Sequence, residues 1–114
     1  MSRFAATRSA TVGPSARPVA IPGDVDAPGV AKAVGVVELP LRVRWSGRPR
    51  RYDLADRRER ALAYELVLTE GTEDDVRRFI VVDELIAMWD ELVLPLHVRR
   101  AWGDWLAASR DIAV

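Results

Sequence analysis

The sequence predicts a mainly α-helical fold: a small bundle of three to four short helices, preceded by a β-hairpin or extended strand and a disordered N-terminal tail. From residue 57 onward, apolar residues recur at the three- and four-residue spacing of one helix face. Over residues 36–45 apolar and polar residues alternate, which is typical of a half-buried strand. The length of 114 residues fits a single domain.

The first third of the chain differs from the rest in composition. Residues 1–35 are rich in Ala, Pro, Gly, Ser and Thr and follow neither the strand nor the helix period. Such a segment buries too little apolar surface to offset the entropy lost on ordering. We therefore expect a disordered tail over 1–35 and a small helical domain with an N-terminal β-hairpin over 36–114.

The predicted hairpin begins with the alternating run that ends at Trp45. Pro40 cannot donate to a sheet ladder, so it restricts this strand to an edge or splits it. The turn residues 46–49 follow, and 50–54 return as a second strand. A two-stranded hairpin is not stable alone, so it must lie on the helices or on a partner.

Capping residues mark the first two helices. Asp56 is a good N-cap for a helix over about 57–70, and Gly71 serves as its C-terminal stop. Thr72 and Asp75 have the spacing of a reciprocal capping box for a second helix over about 73–80.

Two further helices follow at the C-terminal end. Asp83 is the predicted N-cap of the third, and Pro95 fits the first turn of a fourth that runs to about Arg110. Their apolar residues share one face: Leu85, Met88, Trp89, Leu92, Val98, Trp102, Trp105 and Leu106. The junction at 92–96 is itself apolar, which argues against a helix-turn-helix DNA-binding unit.

No constellation of residues indicates catalysis, and we expect neither an enzyme nor a metal or cofactor site. The chain has no cysteine, and His97 is its single histidine, so no ligand cluster or base and nucleophile pair is evident. Neighbouring acids are explained by helix N-termini and a solvated face, and no glycine-rich phosphate loop exists. No apolar run is long enough to span a membrane, and a cytoplasmic location is the simplest expectation.

Tryptophan is the most informative residue type. It supplies four of the eight aromatic residues, and Trp89, Trp102 and Trp105 lie on the last two predicted helices. Each carries on the order of 150–250 Å² of surface, more than so small a unit buries easily. A plain core explains the stripe most simply, but tryptophan is also a preferred interface anchor. We therefore predict that these three residues include partner-binding positions.

Charge is distributed unevenly although the net charge is zero. Residues 41–60 hold eight arginines and three acids, a balance of +5, whereas residues 61–95 hold nine acids and two arginines, a balance of −7. The basic cluster offers phosphate contacts to a nucleic acid, or simply protects a strand edge from aggregation. Its members are Arg42, Arg44, Arg48, Arg50, Arg51, Arg57, Arg58 and Arg60.

Two runs within residues 50–106 resemble a known family. They are Glu70-Gly71-Thr72-Glu73-Asp74-Asp75-Val76-Arg77-Arg78 and Trp89-Asp90-Glu91-Leu92-Val93-Leu94-Pro95. These runs resemble a family of short actinobacterial proteins, the small antitoxins encoded beside nucleotidyltransferase toxins of the AbiEii and MenT type. The resemblance brings no catalytic motif with it. It implies a cognate toxin that transfers nucleotides to the acceptor end of tRNA and therefore carries a basic surface.

The resemblance implies an antitoxin that neutralises such a toxin by direct protein–protein binding. The acidic segment would then be the steering face, since opposed charges raise the encounter rate. We expect its exposed acids to be Glu73, Asp74, Asp90 and Glu91. The alternative is a small nucleic-acid-binding transcriptional regulator that uses the arginines of 41–60.

Overall fold

The computed structural model describes residues 19–40 and 51–110 and is mainly helical, with a two-stranded antiparallel hairpin before the helices, as predicted. No helix within these ranges is long and apolar enough to cross a membrane. The elements are β1 (Val36–Glu38), β2 (Arg51–Asp53), α1 (Arg57–Glu70), α2 (Glu73–Phe79), α3 (Val82–Met88), a 3₁₀ turn (Trp89–Glu91) and α4 (Leu96–Arg110).

The hairpin pairs β1 and β2 with Val37 opposite Tyr52. The Tyr52 side chain is buried, so the hairpin packs against the helices rather than standing free. Strand β1 ends at Glu38 and is shorter than the predicted run. It stops two residues before Pro40, because proline cannot donate a ladder hydrogen bond. The expected continuation to residue 45 and the turn at 46–49 lie outside the described residues.

Helices α1 and α2 have the predicted caps. The Asp56 carboxylate accepts from the Glu59 amide at 3.0 Å. The Thr72 hydroxyl accepts from the Asp75 amide at 3.2 Å, and the Asp75 carboxylate accepts from the Thr72 amide at 2.9 Å. Local hydrogen bonds therefore define both helix starts.

Gly71 ends α1, but not in the left-handed geometry that usually favours glycine there. Its φ is −78°, in the extended region. The position suits glycine for a different reason, because a Cβ there would lie 2.6 Å from the Val67 carbonyl oxygen. The close approach of the Val67 carbonyl, one helical turn earlier, makes a side chain unfavourable at residue 71, and the backbone conformation does not.

The prediction that Asp83 caps α3 is wrong. The helix begins two residues earlier, with Val81 as the N-cap and no side-chain capping bond, and Asp83 lies in its first turn. The Val81 amide instead donates to the buried Tyr64 hydroxyl at 3.0 Å. Tyr64 of α1 thus satisfies the Val81 amide at the junction between α2 and α3. The Asp83 carboxylate faces outward and accepts from the Arg110 guanidinium at 3.0 Å.

Residues 19–35 pack onto the helices, in contrast to the boundary predicted at residue 36. Val25 has no exposed surface and belongs to the core. The Lys32 ammonium donates to the carbonyl oxygens of Val25 and Arg77 at 2.8 and 2.7 Å. Composition missed this contact because the segment buries its apolar residues against the helices rather than against itself. Residues 1–18 of the predicted tail lie outside the described residues.

Candidate partner-binding surface

Two of the three candidate tryptophans belong to the core. Trp102 has no exposed surface, and its indole Nε1 has no hydrogen-bond partner among the described residues. Trp89 is 9 % exposed, and the Arg99 guanidinium lies over its ring at 4.9 Å from the ring centroid. Neither side chain presents enough surface to anchor a partner while the domain is folded as described.

Trp105 is the candidate tryptophan that keeps a solvent-facing side. It is half-buried and packs edge-on against Trp102, with ring centroids 5.6 Å apart and an interplanar angle of 67°. This geometry suits the opposite charges of an aromatic edge and face. Trp105 therefore completes the core on one side and remains accessible on the other.

The candidate acids of α2 are exposed and share one arginine. Glu73 and Asp74 lie in the first turn, at 3.6 and 2.7 Å from the Arg77 guanidinium. Asp24 of the N-terminal segment contacts the same guanidinium at 2.7 Å, and this hydrogen bond lowers the pKa of Asp24. Three carboxylates surround one cation, so the group keeps an excess negative charge despite the pairing.

The candidate acids of the 3₁₀ turn differ from each other. The Arg57 guanidinium holds the Glu91 carboxylate and also donates to the Ala87 carbonyl at 3.0 Å. The hydrogen bond from Arg57 to the Glu91 carboxylate lowers the pKa of Glu91. Asp90 is exposed and makes no ion pair with any residue that the structure describes. Asp90 is consequently the candidate acid most readily available to a cation on another molecule.

Three members of the basic cluster are engaged within the chain. Arg51 lies 3.8 Å from Glu38, Arg57 holds Glu91, and Arg60 lies 3.2 Å from Glu84. Arg60 also donates to the Leu54 carbonyl at 2.7 Å, and its side chain is mostly buried. The contacts of Arg57 and Arg60 link α1 to the 3₁₀ turn and to α3, whereas the Arg51 contact lies within the hairpin. Arg58 is exposed and has no ion pair among the described residues. The members at 42, 44, 48 and 50 lie outside the described residues.

A short apolar loop forms a surface that the sequence analysis did not assign to binding. It joins the 3₁₀ turn to α4 over residues 92–95 and continues into Leu96. Val93 is 79 % exposed and Leu96 is 63 % exposed. The sequence signal is the uninterrupted apolar run at 92–96, which neither a helical nor a strand period requires. We call Val93 and Leu96, with the loop between them, the apolar loop.

A groove with a volume of about 270 Å³ lies where the start of the hairpin meets α1 and α3. Arg60, Tyr64 and Glu84 line it. Arg60 and Glu84 form the ion pair already described, and burial raises the pKa of the Tyr64 hydroxyl.

Within the described ranges no group of three His, Cys, Asp or Glu side chains is placed to hold a metal ion. His97 lies in the first turn of α4, half-buried.

Comparison of the chain with family models, curated proteins and solved structures gave no significant match.

Proposed function

We propose that this chain is an antitoxin that neutralises a nucleotidyltransferase toxin by direct protein–protein binding and has no catalytic role of its own. The proposal begins from the resemblance of residues 50–106 to small antitoxins. The observation that carries it is the arrangement of charge: the candidate acids Glu73, Asp74, Asp90 and Glu91 are exposed, while Arg57 and Arg60 are held by carboxylates of the same chain. Such a surface suits a basic protein better than it suits a phosphate backbone.

The physical route to neutralisation is occlusion of the basic surface that a toxin of this kind presents to tRNA. An acidic excess around Asp74 and Asp90 attracts that surface during the encounter. Opposed patches raise association rates more than final affinity, and salt screens them over about 8–10 Å. Once docked, the antitoxin competes with tRNA for the same site.

The test is co-expression of the tagged chain with the untagged product of the neighbouring gene, which the proposal expects to be a nucleotidyltransferase. We expect the two to co-purify, and the chain to suppress the transfer of labelled nucleotides to tRNA. Failure to bind in the purified system would overturn the proposal. Salt-sensitive retention on DNA without toxin binding would favour the nucleic-acid-binding regulator instead.

Charge reversal tests the steering step. Asp90→Lys should lower the association rate with the toxin, and added salt should reduce the difference from the wild-type chain. Asp104→Lys is the matched control, because Asp104 is an exposed acid on α4 that likewise has no ion-pair partner in the described ranges. If the two reversals slow association equally, overall charge matters and Asp90 has no special position.

A further inference from the structure

The segment 19–33, which we call the strap, contacts the C-terminal ends of α2 and α4. Two ion pairs join it to these helices, Asp24 with Arg77 at 2.7 Å and Asp26 with Arg110 at 2.6 Å. Both carboxylates are about half exposed, so each pair by itself adds little to stability. Other contacts must therefore hold the strap in place.

Two carbonyl groups at the end of α2 receive their hydrogen bonds from the strap. The last carbonyls of a helix have no amide donor within the helix. The Arg77 carbonyl accepts from the Lys32 ammonium at 2.7 Å, and the Arg78 carbonyl accepts from the Ala33 amide at 2.8 Å. Lys32 also donates to the Val25 carbonyl at 2.8 Å. One ammonium thus joins two points of the strap to the helix, and we call it the latch.

The helical core depends little on the strap for its burial. Within the described ranges, Pro22 and Val25 are the buried residues of the strap, whereas nineteen buried hydrophobic residues lie between 39 and 106. Val19 and Ile21 pack against this core but are only partly buried. A segment that contributes so little of the core opens at a lower free energy than the whole domain unfolds.

Val34 and Gly35 form the joint between the strap and β1. Val34 is 82 % exposed. Gly35 has a φ of 74°, in the left-handed region that glycine adopts without strain. Its carbonyl accepts from the Leu54 amide at 2.9 Å, which fixes the hairpin side of the joint. Rotation at these two exposed residues would move the strap and leave the hairpin in place.

We infer that the strap opens as one unit about this joint, with Lys32 as its latch, while the four helices stay folded. Opening uncovers the apolar seat of Val25 and withdraws one carboxylate from each of Arg77 and Arg110. The strap therefore controls how much apolar surface and positive charge this face of the domain presents. The device needs neither a toxin nor any other partner.

Hydrogen exchange of the full-length chain, followed residue by residue by NMR where exchange reports the opening equilibrium, tests this inference. The Ala33 amide reports the strap, because it donates to Arg78 across the contact. Amides in the middle of α1 report unfolding of the domain. After correction for intrinsic rates, the Ala33 amide should exchange at least about tenfold faster than the slowest α1 amides. Equal protection would show that the strap opens only when the domain unfolds, and the inference would be wrong.

Two valines give a matched pair of variants. Val25→Ala and Val98→Ala make the same change at side chains with no exposed surface, one in the strap and one in α4, about 18 Å along that helix from Arg110. Val25→Ala should speed exchange of the Ala33 amide about 30-fold. Val98→Ala should speed the α1 amides by a similar factor but leave Ala33 within about twofold, because Val98 stays packed when the strap opens. Acceleration of Ala33 by Val98→Ala would overturn the separate opening.

Lys32→Met tests the latch, since it removes the charge and keeps a side chain of similar length. It should speed exchange of the Ala33 amide at least about tenfold, because two carbonyls lose a charged donor. Arg51→Met is the matched control: it removes a cation that pairs with Glu38 across the hairpin and should leave Ala33 within about twofold. Equal effects of the two variants, or no effect of Lys32→Met, would show that Lys32 is not the latch.

Discussion

Val25 provides the sharpest test of whether the N-terminal segment belongs to the folded domain. Its side chain is fully buried, and Val25→Ala removes two methyl groups from the core. At about 0.8 kcal/mol for each buried carbon, the transfer loss is about 1.6 kcal/mol. The residual cavity raises the expected loss in free energy of unfolding to about 2 kcal/mol. Val34→Ala makes the same chemical change at an exposed position and should cost no more than about 0.5 kcal/mol.

Urea unfolding followed by tryptophan fluorescence measures the difference. For an m-value of about 1–2 kcal/mol/M, the Val25→Ala midpoint should fall by about 1–2 M relative to wild type, and the Val34→Ala midpoint should hardly change. If both variants unfold at the wild-type urea concentration, residues 19–35 do not pack as described. The composition-based boundary at residue 36 would then be the better description of the domain.

Three further perturbations test the packing around the site. Gly71→Ala should destabilise the domain by about 1–3 kcal/mol because its Cβ would meet the Val67 carbonyl, whereas Gly23→Ala, with nothing within 4 Å, should be close to neutral in the same thermal melt. Trp102→Ala should lower the free energy of unfolding by about 3–5 kcal/mol, and Trp105→Ala should lower it clearly less, because the Trp105 ring is partly in water. Equal losses of stability would show that Trp105 is a plain core residue. Arg77 lowers the pKa of Asp24 below its ordinary 3.8, so this ion pair stabilises the fold above that pH and is lost as the pH falls through the lowered value. The urea midpoint difference between wild type and Asp24→Asn should therefore shrink on going from pH 7 to strongly acidic solution, and a constant difference would exclude this linkage.

The parts of the fold that local chemistry determines could be predicted from the sequence. Helix α1 has the predicted bounds, because a capping aspartate three residues before its amide partner is visible in the chain itself. The same holds for the capping box of α2. The start of α3 could not be predicted in this way, since it depends on a Tyr64 hydroxyl 17 residues earlier.

The candidate site was predictable in type but not in detail. Spacing placed the tryptophans on one face, yet only packing distinguishes the buried Trp102 from the half-exposed Trp105. Charge counting found the acidic segment, but the pairing of Glu91 with an arginine 34 residues away, which leaves Asp90 unpaired among the described residues, is a tertiary property. The sequence contained the apolar loop as a run of residues without indicating that its side chains face outward.

The arginines of the described helices bear directly on the choice between a protein and a nucleic acid as partner. Arg77 and Arg110 each contact the N-terminal segment, through Asp24 and Asp26, and each also pairs with an acid of a helix. For such an arginine to bind a phosphate, it would have to release carboxylates that hold elements of the fold together. The loss of those contacts would offset much of the gain, because an exposed ion pair and a phosphate contact compete for the same guanidinium. Nucleic-acid binding would therefore have to rely on Arg58, Arg78 and Arg100, which are exposed and have no ion pair among the described residues, or on the four arginines at 42, 44, 48 and 50. A chain with these four positions changed to glutamine should keep full affinity for the toxin, and a loss of neutralisation in that variant would argue against the acidic contact surface proposed for this protein.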